Sequence, residues 1–190
     1  MNYVPPIKEK SKIELMKQIL ISQNYRNYVI FTLAINYGRR ITDILEMHVS
    51  DVRGKEYFNI IEDKTGKKIP IKVNDEVKRM LESYCSGRND DEWLFQSKKC
   101  SAAYSTDSKG KTPLDRIQVW RDLKTAAEKC GIEEIGTHSL RKTFGYWLYK
   151  STNDIALVQK VLGHRSPMDT LRYIGMEQEY IDSATTALCL

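Results

Sequence analysis

A chain of 190 residues, 41% hydrophobic and 29% charged, has the size and mixture of one globular domain with a sizeable core. Thirty basic residues against twenty-five acidic ones leave a formal charge of +5, a mild excess that admits an anionic partner without requiring one. Apolar runs such as YVIFTLAI at 28–35 are too short to span a bilayer, no secretory signal opens the chain, and Cys85, Cys100, Cys130 and Cys189 lack zinc or redox spacing; a cytoplasmic protein with reduced thiols and no membrane contact is expected.

In chain order, Ser11 and Glu14 make a capping box for a first helix with Leu15, Ile19 and Leu20 as its apolar stripe. A second helix covers roughly 25–37 and ends at Gly38. Thr42 is expected to cap a short third helix with Asp43 in its first turn, which leaves Arg39 and Arg40 in the loop between. Residues 56–73 read as two short strands joined at DKTGK, with Gly66 supplying the turn and Lys64 on the hairpin. Asn74 starts the next helix, with Val77, Met80, Leu81 and Tyr84 facing inward. The stretch SKKCSAAYSTDSKGK at 97–111 is polar, lysine-rich and aperiodic, a loop.

Thr112 and Pro113 are expected to open a long helix that runs to about 130 and closes at Gly131. Thr137 then caps a helix that buries Leu140, Phe144, Trp147 and Leu148 and leaves His138 and Arg141 paired on a strip facing away from that core. A helix near 154–162 ends at Gly163 and His164, Pro167 follows, and a short helical stretch carries Tyr173. The last seventeen residues form a terminal helix. The fold class is mainly α with a small antiparallel β-sheet (α+β), in a single domain over 1–190.

Of three histidines, His48 has no evident partner, whereas His138 and His164 sit at helix boundaries, where backbone capping alone would account for either. Two arginines, these two histidines and one hairpin lysine around a single tyrosine are the groups that in-line attack on a phosphodiester needs. Arginine forks fit the non-bridging oxygens as negative charge builds. A tyrosine nucleophile with an ordinary pKa of about 10 needs cations and a base beside it, and the leaving alkoxide must gain a proton.

In four matches that fall in the family's order, the sequence resembles the catalytic domain of the tyrosine recombinase (phage integrase) family. GRRITDILEMHVSDV resembles its Gly-x-Arg-Ile-Ser-Glu segment, which puts the first catalytic arginine at Arg40, with Thr42 and Asp43 replacing Ser and Glu. EDKTGKKIPI resembles the hairpin bearing the catalytic lysine, which falls on Lys64, with Lys67 and Lys68 as alternatives. HSLR resembles the family's His-x-x-Arg and gives His138 and Arg141, while Lys142 stands where many members carry another histidine. LGHRSPMDTLRY resembles the Leu-Gly-His segment followed nine residues after His164 by the nucleophile, Tyr173. Tyr146, Tyr149 and Tyr180 are its rivals, the first two reading as packing residues.

The resemblance implies a site-specific, integrase-like DNA recombinase that cleaves and rejoins strands through a 3′-phosphotyrosyl intermediate on Tyr173. Arg40 and Arg141 would stabilise the transition state, His164 donate a further hydrogen bond, His138 assist proton transfer and Lys64 protonate the leaving oxygen, with no metal and no cofactor. Its partners would be double-stranded DNA, three further copies in a homo-tetramer on DNA, with residues 176–190 as the candidate contact between protomers, and an accessory DNA-binding protein. Most members carry an additional N-terminal helical domain that closes around DNA; about ten residues precede the first helix here, so the sequence reads as a minimal enzyme or a fragment. Two rivals are a catalytically silent DNA-binding regulator of recombination or transcription, and a type IB topoisomerase-like enzyme that shares the chemistry.

Overall fold

The computed structural model describes residues 4–61, 68–97, 106–107 and 109–186. Among them, nine α-helices and one hairpin follow in the order α1 (Lys10–Gln23), α2 (Tyr25–Tyr37), α3 (Ile41–Leu45), β1 (Tyr57–Ile61), β2 (Lys68–Lys72), α4 (Asp75–Cys85), α5 (Arg116–Lys129), α6 (Thr137–Thr152), α7 (Ile155–Leu162), α8 (Pro167–Tyr173) and α9 (Glu177–Thr186). The strands pair antiparallel, Tyr57 opposite Lys72 and Phe58 opposite Ile71, so the architecture is the mainly helical α+β class that the periodicities predict.

Helix α2 is apolar nearly all round, and such a helix has no face to give to solvent. It is central: Val29 to Ala34 are buried, and α1, α3, α4, α5 and α6 all pack against it. Asn24 caps it by accepting from the Arg26 N–H at 3.0 Å. Gly38 closes it at φ 59°, where a Cβ would stand 2.2 Å from Phe144 Cδ1. Helix α4 is amphipathic as predicted, capped by Asn74 and burying Val77, Met80 and Leu81, with Tyr84 half-buried.

The core falls into two apolar clusters. One gathers α1 to α5 and reaches Leu140 of α6; the other joins Phe144, Tyr146 and Tyr149 of α6 to Val158, Val161 and Leu162 of α7 and to Leu171 and Ile174. Helix α6 is therefore a wall common to both, and Trp147 packs on each.

Among α1 to α6, four helix starts differ from expectation. Helix α1 begins at Lys10 with Glu9 at its N-cap and no side-chain cap, and its buried stripe is Ile13, Met16 and Leu20, with Leu15 exposed; the stripe begins two residues earlier than the capping box implied. Arg40, not Thr42, is the N-cap of α3, while Asp43 lies in its first turn as expected. Helix α5 opens at Arg116 behind an Asp115 cap, because Pro113 bridges Gln96 and the Leu114 N–H bonds Phe95 O, which holds 112–114 extended. Gly136 is the N-cap of α6, so Thr137 is its first helical residue, and Ser139 Oγ accepts from the Gly136 N–H.

The buried face of α6 is also wider than the predicted stripe: Arg141 and Lys142 are buried, while Trp147 and Leu148 are half-buried. His48 has partners after all, its ring stacked 4.0 Å from Trp93 and its backbone N–H donated to Asp51 Oδ2. The terminal helix starts only at Glu177, after a turn at Gly175, and buries none of its residues; Lys8 and Lys150 pair with Glu179 at 2.7 and 3.2 Å. Lys64, Lys67, Cys100, Cys189 and most of the predicted loop at 97–111 lie outside the described residues, whereas Cys85 and Cys130 are buried free thiols. No helix among the described residues is long and apolar enough to cross a membrane.

Candidate active site

The first two turns of α6 set His138 at the surface and Arg141 inside. A buried guanidinium requires acceptors, and two helix ends provide them: Nη1 donates to Gly38 O at 2.5 Å and Nη2 to Leu162 O at 2.7 Å. Gly38 caps α2 and Leu162 is the last residue of α7, so both carbonyls lie at the negative ends of helix dipoles. Arg141 is thus oriented by backbone carbonyls at the ends of α2 and α7, and its charge is felt at the Tyr173 phenol.

Arg40 follows the α2 terminus by two residues and caps α3 with its backbone, so its side chain leaves from an exposed corner. Its charge is felt at both Tyr173 and His138.

His164 and Tyr173 are brought together by one tight turn. Gly163 ends α7 at φ 65°, the His164 N–H bonds Gln159 O at 3.0 Å, and Ser166 with Pro167 starts α8. Seven residues of helix then return Tyr173 to His164, edge to face, with ring centroids 4.7 Å apart. Thr170 lies between them in sequence, fully buried; its hydroxyl donates to Ser166 O at 2.9 Å and meets His164 Nδ1 at 3.2 Å. A hydroxyl has one proton, so Thr170 must accept from Nδ1–H, which leaves the Nε2 lone pair as the exposed function of the neutral ring.

Burial raises the Tyr173 pKa, opposed by Arg141 and then Arg40. His138, although its side chain reaches the surface, is lowered first by the partial desolvation of its ring against the protein and then by Arg141, Lys142, Arg40 and Arg116. His164 is lowered by burial and Arg141, with Asp169 opposing. The free site therefore holds a protonated phenol beside two neutral imidazoles, which are proton acceptors, in a field of cations suited to a phosphodiester.

Arg40 and Arg141 also line a groove of about 670 Å³, together with Arg39, Lys55, Lys68 and Lys160; Asp43, Glu46 and Asp51 lie in the same wall. Tyr173, His138 and His164 do not line it. The structure thus brings together five of the six expected residues, Arg40, His138, Arg141, His164 and Tyr173. The sixth, Lys64, lies outside the described residues, although the alternative Lys68 stands in the groove. Tyr146 and Tyr149 are buried in the second apolar cluster and Tyr180 lies on exposed α9. Among the described residues no group of three or more His, Cys, Asp or Glu is placed to hold a metal ion.

Sequence reasoning missed Thr170, Arg116 and the contact of Lys142 with Tyr173, whose ring centroid is 5.2 Å from Lys142 Nζ. Arg116 was hidden by the misplaced start of α5. Thr170, one turn before the nucleophile, carried no signal beyond its position on the inner face of α8.

The sequence model described as "Phage integrase family" matches residues 7–179. The "Probable integrase/recombinase YoeC" of Bacillus subtilis (strain 168) is 41% identical over 179 residues, 94% of this chain and 93% of its own. A crystal structure of XerA recombinase superposes with a TM-score of 0.72 at 21% identity, covering 98% of this chain and 65% of that one. A lambda integrase tetramer bound to a Holliday junction gives 0.64 at 20% identity, covering 93% and 50%. The present chain therefore spans between half and two-thirds of the length of these two structures, and it shares their catalytic-domain fold.

Proposed function

The chain belongs to the phage integrase family, and from that premise we propose that it is a site-specific DNA recombinase whose nucleophile is Tyr173. The observation that carries this reading is the convergence of Tyr173 with Arg141, Arg40 and His164. Tyr173 Oη attacks a backbone phosphorus of one strand of double-stranded DNA; the new O–P bond forms as the bond to the 5′ oxygen breaks, giving a 3′-phosphotyrosyl link and a free 5′-hydroxyl. The phenol proton passes to a neutral imidazole, His138 in our scheme, and Lys64, or a neighbour on the same hairpin, supplies the proton that the leaving oxygen takes up. Arg40 and Arg141 hold the non-bridging oxygens as charge accumulates. His164 adds a hydrogen bond from Nε2, which with Nδ1 committed to Thr170 requires the imidazolium; the approaching phosphate favours that form.

The link preserves the energy of the broken ester, so religation is the reverse of cleavage and the scheme contains neither metal nor nucleotide. Assembly as a homo-tetramer on two DNA sites is part of this reading, supported by the fold shared with the lambda integrase tetramer. The test is covalent capture on a nicked suicide duplex drawn from sequence flanking the gene, with wild type beside Tyr173→Phe. A denaturation-resistant adduct absent from the variant is expected. Adduct formation undiminished in Tyr173→Phe would remove the nucleophile from this assignment, and relaxation of supercoiled plasmid without strand exchange would move the activity to the topoisomerase class.

A further inference from the structure

The segment before α1 is a strap laid along α6. Pro5 and Pro6 fix their own φ, lack N–H donors and hold Val4 extended, which makes a stiff connector of few residues. Its bonds run along α6 over little more than one turn: Val4 O accepts from Lys142 Nζ at 2.7 Å, the Ile7 N–H donates to Thr143 Oγ1 at 2.8 Å, and Ile7 O accepts from Trp147 Nε1 at 3.1 Å. The Val4 side chain lies against Gly136, where an added Cβ would stand 3.4 Å from it, at the N-cap of the helix that bears His138. Lys8 then donates to the carbonyl of Gly175 at 2.9 Å, just past Tyr173.

Lys142 joins this strap to the nucleophile. It is only 7% exposed, and a buried ammonium deprived of water requires replacement partners. A strap carbonyl is one, and the Tyr173 ring, 5.2 Å from Nζ to centroid, is another. The attraction grows as the phenol gives up its proton and its ring becomes more negative, so the contact strengthens toward the transition state.

We propose that Lys142 is a positioning residue for the nucleophile: held by the Val4 carbonyl, its ammonium fixes the Tyr173 ring beside His164, so the N-terminal strap is part of the mount of the attacking group. The inference rests on Tyr173 being the nucleophile.

The test uses the full chain with fluorotyrosine at Tyr173, observed by fluorine NMR without DNA, alongside single-turnover adduct formation and DNA binding for unlabelled protein. Lys142→Met keeps an aliphatic side chain on the buried path, Lys142→Arg keeps the charge, and Pro5→Gly with Pro6→Gly loosens the strap without touching the site. Lys142→Met is expected to shift and broaden the fluorine resonance and to slow adduct formation about 10- to 100-fold, as misplacement of an attacking group does, with Kd within about threefold of wild type. Lys142→Arg should restore most of both signals, and the glycine pair should reproduce the defect in smaller measure. A Lys142→Met resonance that superposes on wild type, or an adduct rate within about twofold of it, overturns the proposal. A resonance that depends on Lys142 in a wild-type chain that forms no adduct would instead count against the nucleophile, so the two failures are separable; should the methionine variant not fold, the arginine and glycine variants carry the test.

Discussion

Arg141 is held at two points by backbone carbonyls from distant parts of the chain, at Gly38 and Leu162. Its fork is therefore aimed before DNA binds, and little side-chain entropy remains to be lost when phosphate arrives. Lysine keeps the charge but neither the fork nor both carbonyl bonds. Arg141→Lys is expected to lower adduct formation by about 10²–10³-fold while DNA affinity changes far less, with adduct rates and Kd measured side by side. Equal losses in the two would remove Arg141 from the reacting phosphate.

The imidazoles make the free protein sensitive to acid. His138 and His164 both have folded pKa values below the ordinary 6.5, so the unfolded chain binds more protons as pH falls through that value. Their contribution to stability is complete above about pH 6.5 and is lost progressively below it, toward the lowered folded values. Thermal melts between pH 7.5 and 5 should show a falling Tm, and His164→Asn should flatten the decline. An unchanged slope in that variant would mean that the half-buried His164 ring does not titrate with unfolding.

At the scale of elements, α2 and α6 carry the molecule, and they were not equally legible. Helix α2 and its Gly38 end could be read directly, because a largely apolar run closed by glycine has few alternatives. Amphipathic α4 was as clear, and the motif order marked both turns that bear histidine. The burial of Arg141 could not be read, since periodicity assigns a charged residue to solvent, and the acceptors that bring it inside lie 103 and 21 residues away. The start of α5 failed for a similar reason: Pro113 suits a first helical turn, but a bridge to Gln96 claims it.

Two substitutions probe these helices. Gly38→Ala places a Cβ in a left-handed conformation and against the Phe144 ring. It should cost about 1–2 kcal/mol for the backbone and about 1–3 kcal/mol for overpacking, read from denaturant unfolding. Thr32 Oγ1, buried within α2, has no hydrogen-bond partner among the described residues. The isosteric Thr32→Val should raise stability by about 1 kcal/mol and Tm by about 2–4 °C, without effect on DNA binding.

For the molecule as a whole, the mild net charge of +5 understates the local field, because the groove gathers Arg39, Arg40, Lys55, Lys68, Arg141 and Lys160. If these six groups meet phosphates, affinity for a duplex should fall about 10³-fold between about 50 and 200 mM salt. A slope near zero in the plot of log Kd against log salt would mean that the groove is not the phosphate-binding face.

The same scale gives the seam between the two apolar clusters its meaning, since Arg141 ties the end of α2 to the end of α7 across it. Loss of Arg141 weakens the protein as well as the reaction, and its product is exposed to proteolysis before it can occupy DNA. If Tyr173 is the nucleophile and the chain assembles on DNA as proposed, loss of its hydroxyl leaves a folded subunit that still occupies DNA and joins an assembly it cannot help to complete. In a cell that carries both a functional and a mutant copy, inheritance would on that reading differ: alleles that remove the Tyr173 hydroxyl would be dominant, and alleles that truncate Arg141, and with it both carbonyl bonds, recessive.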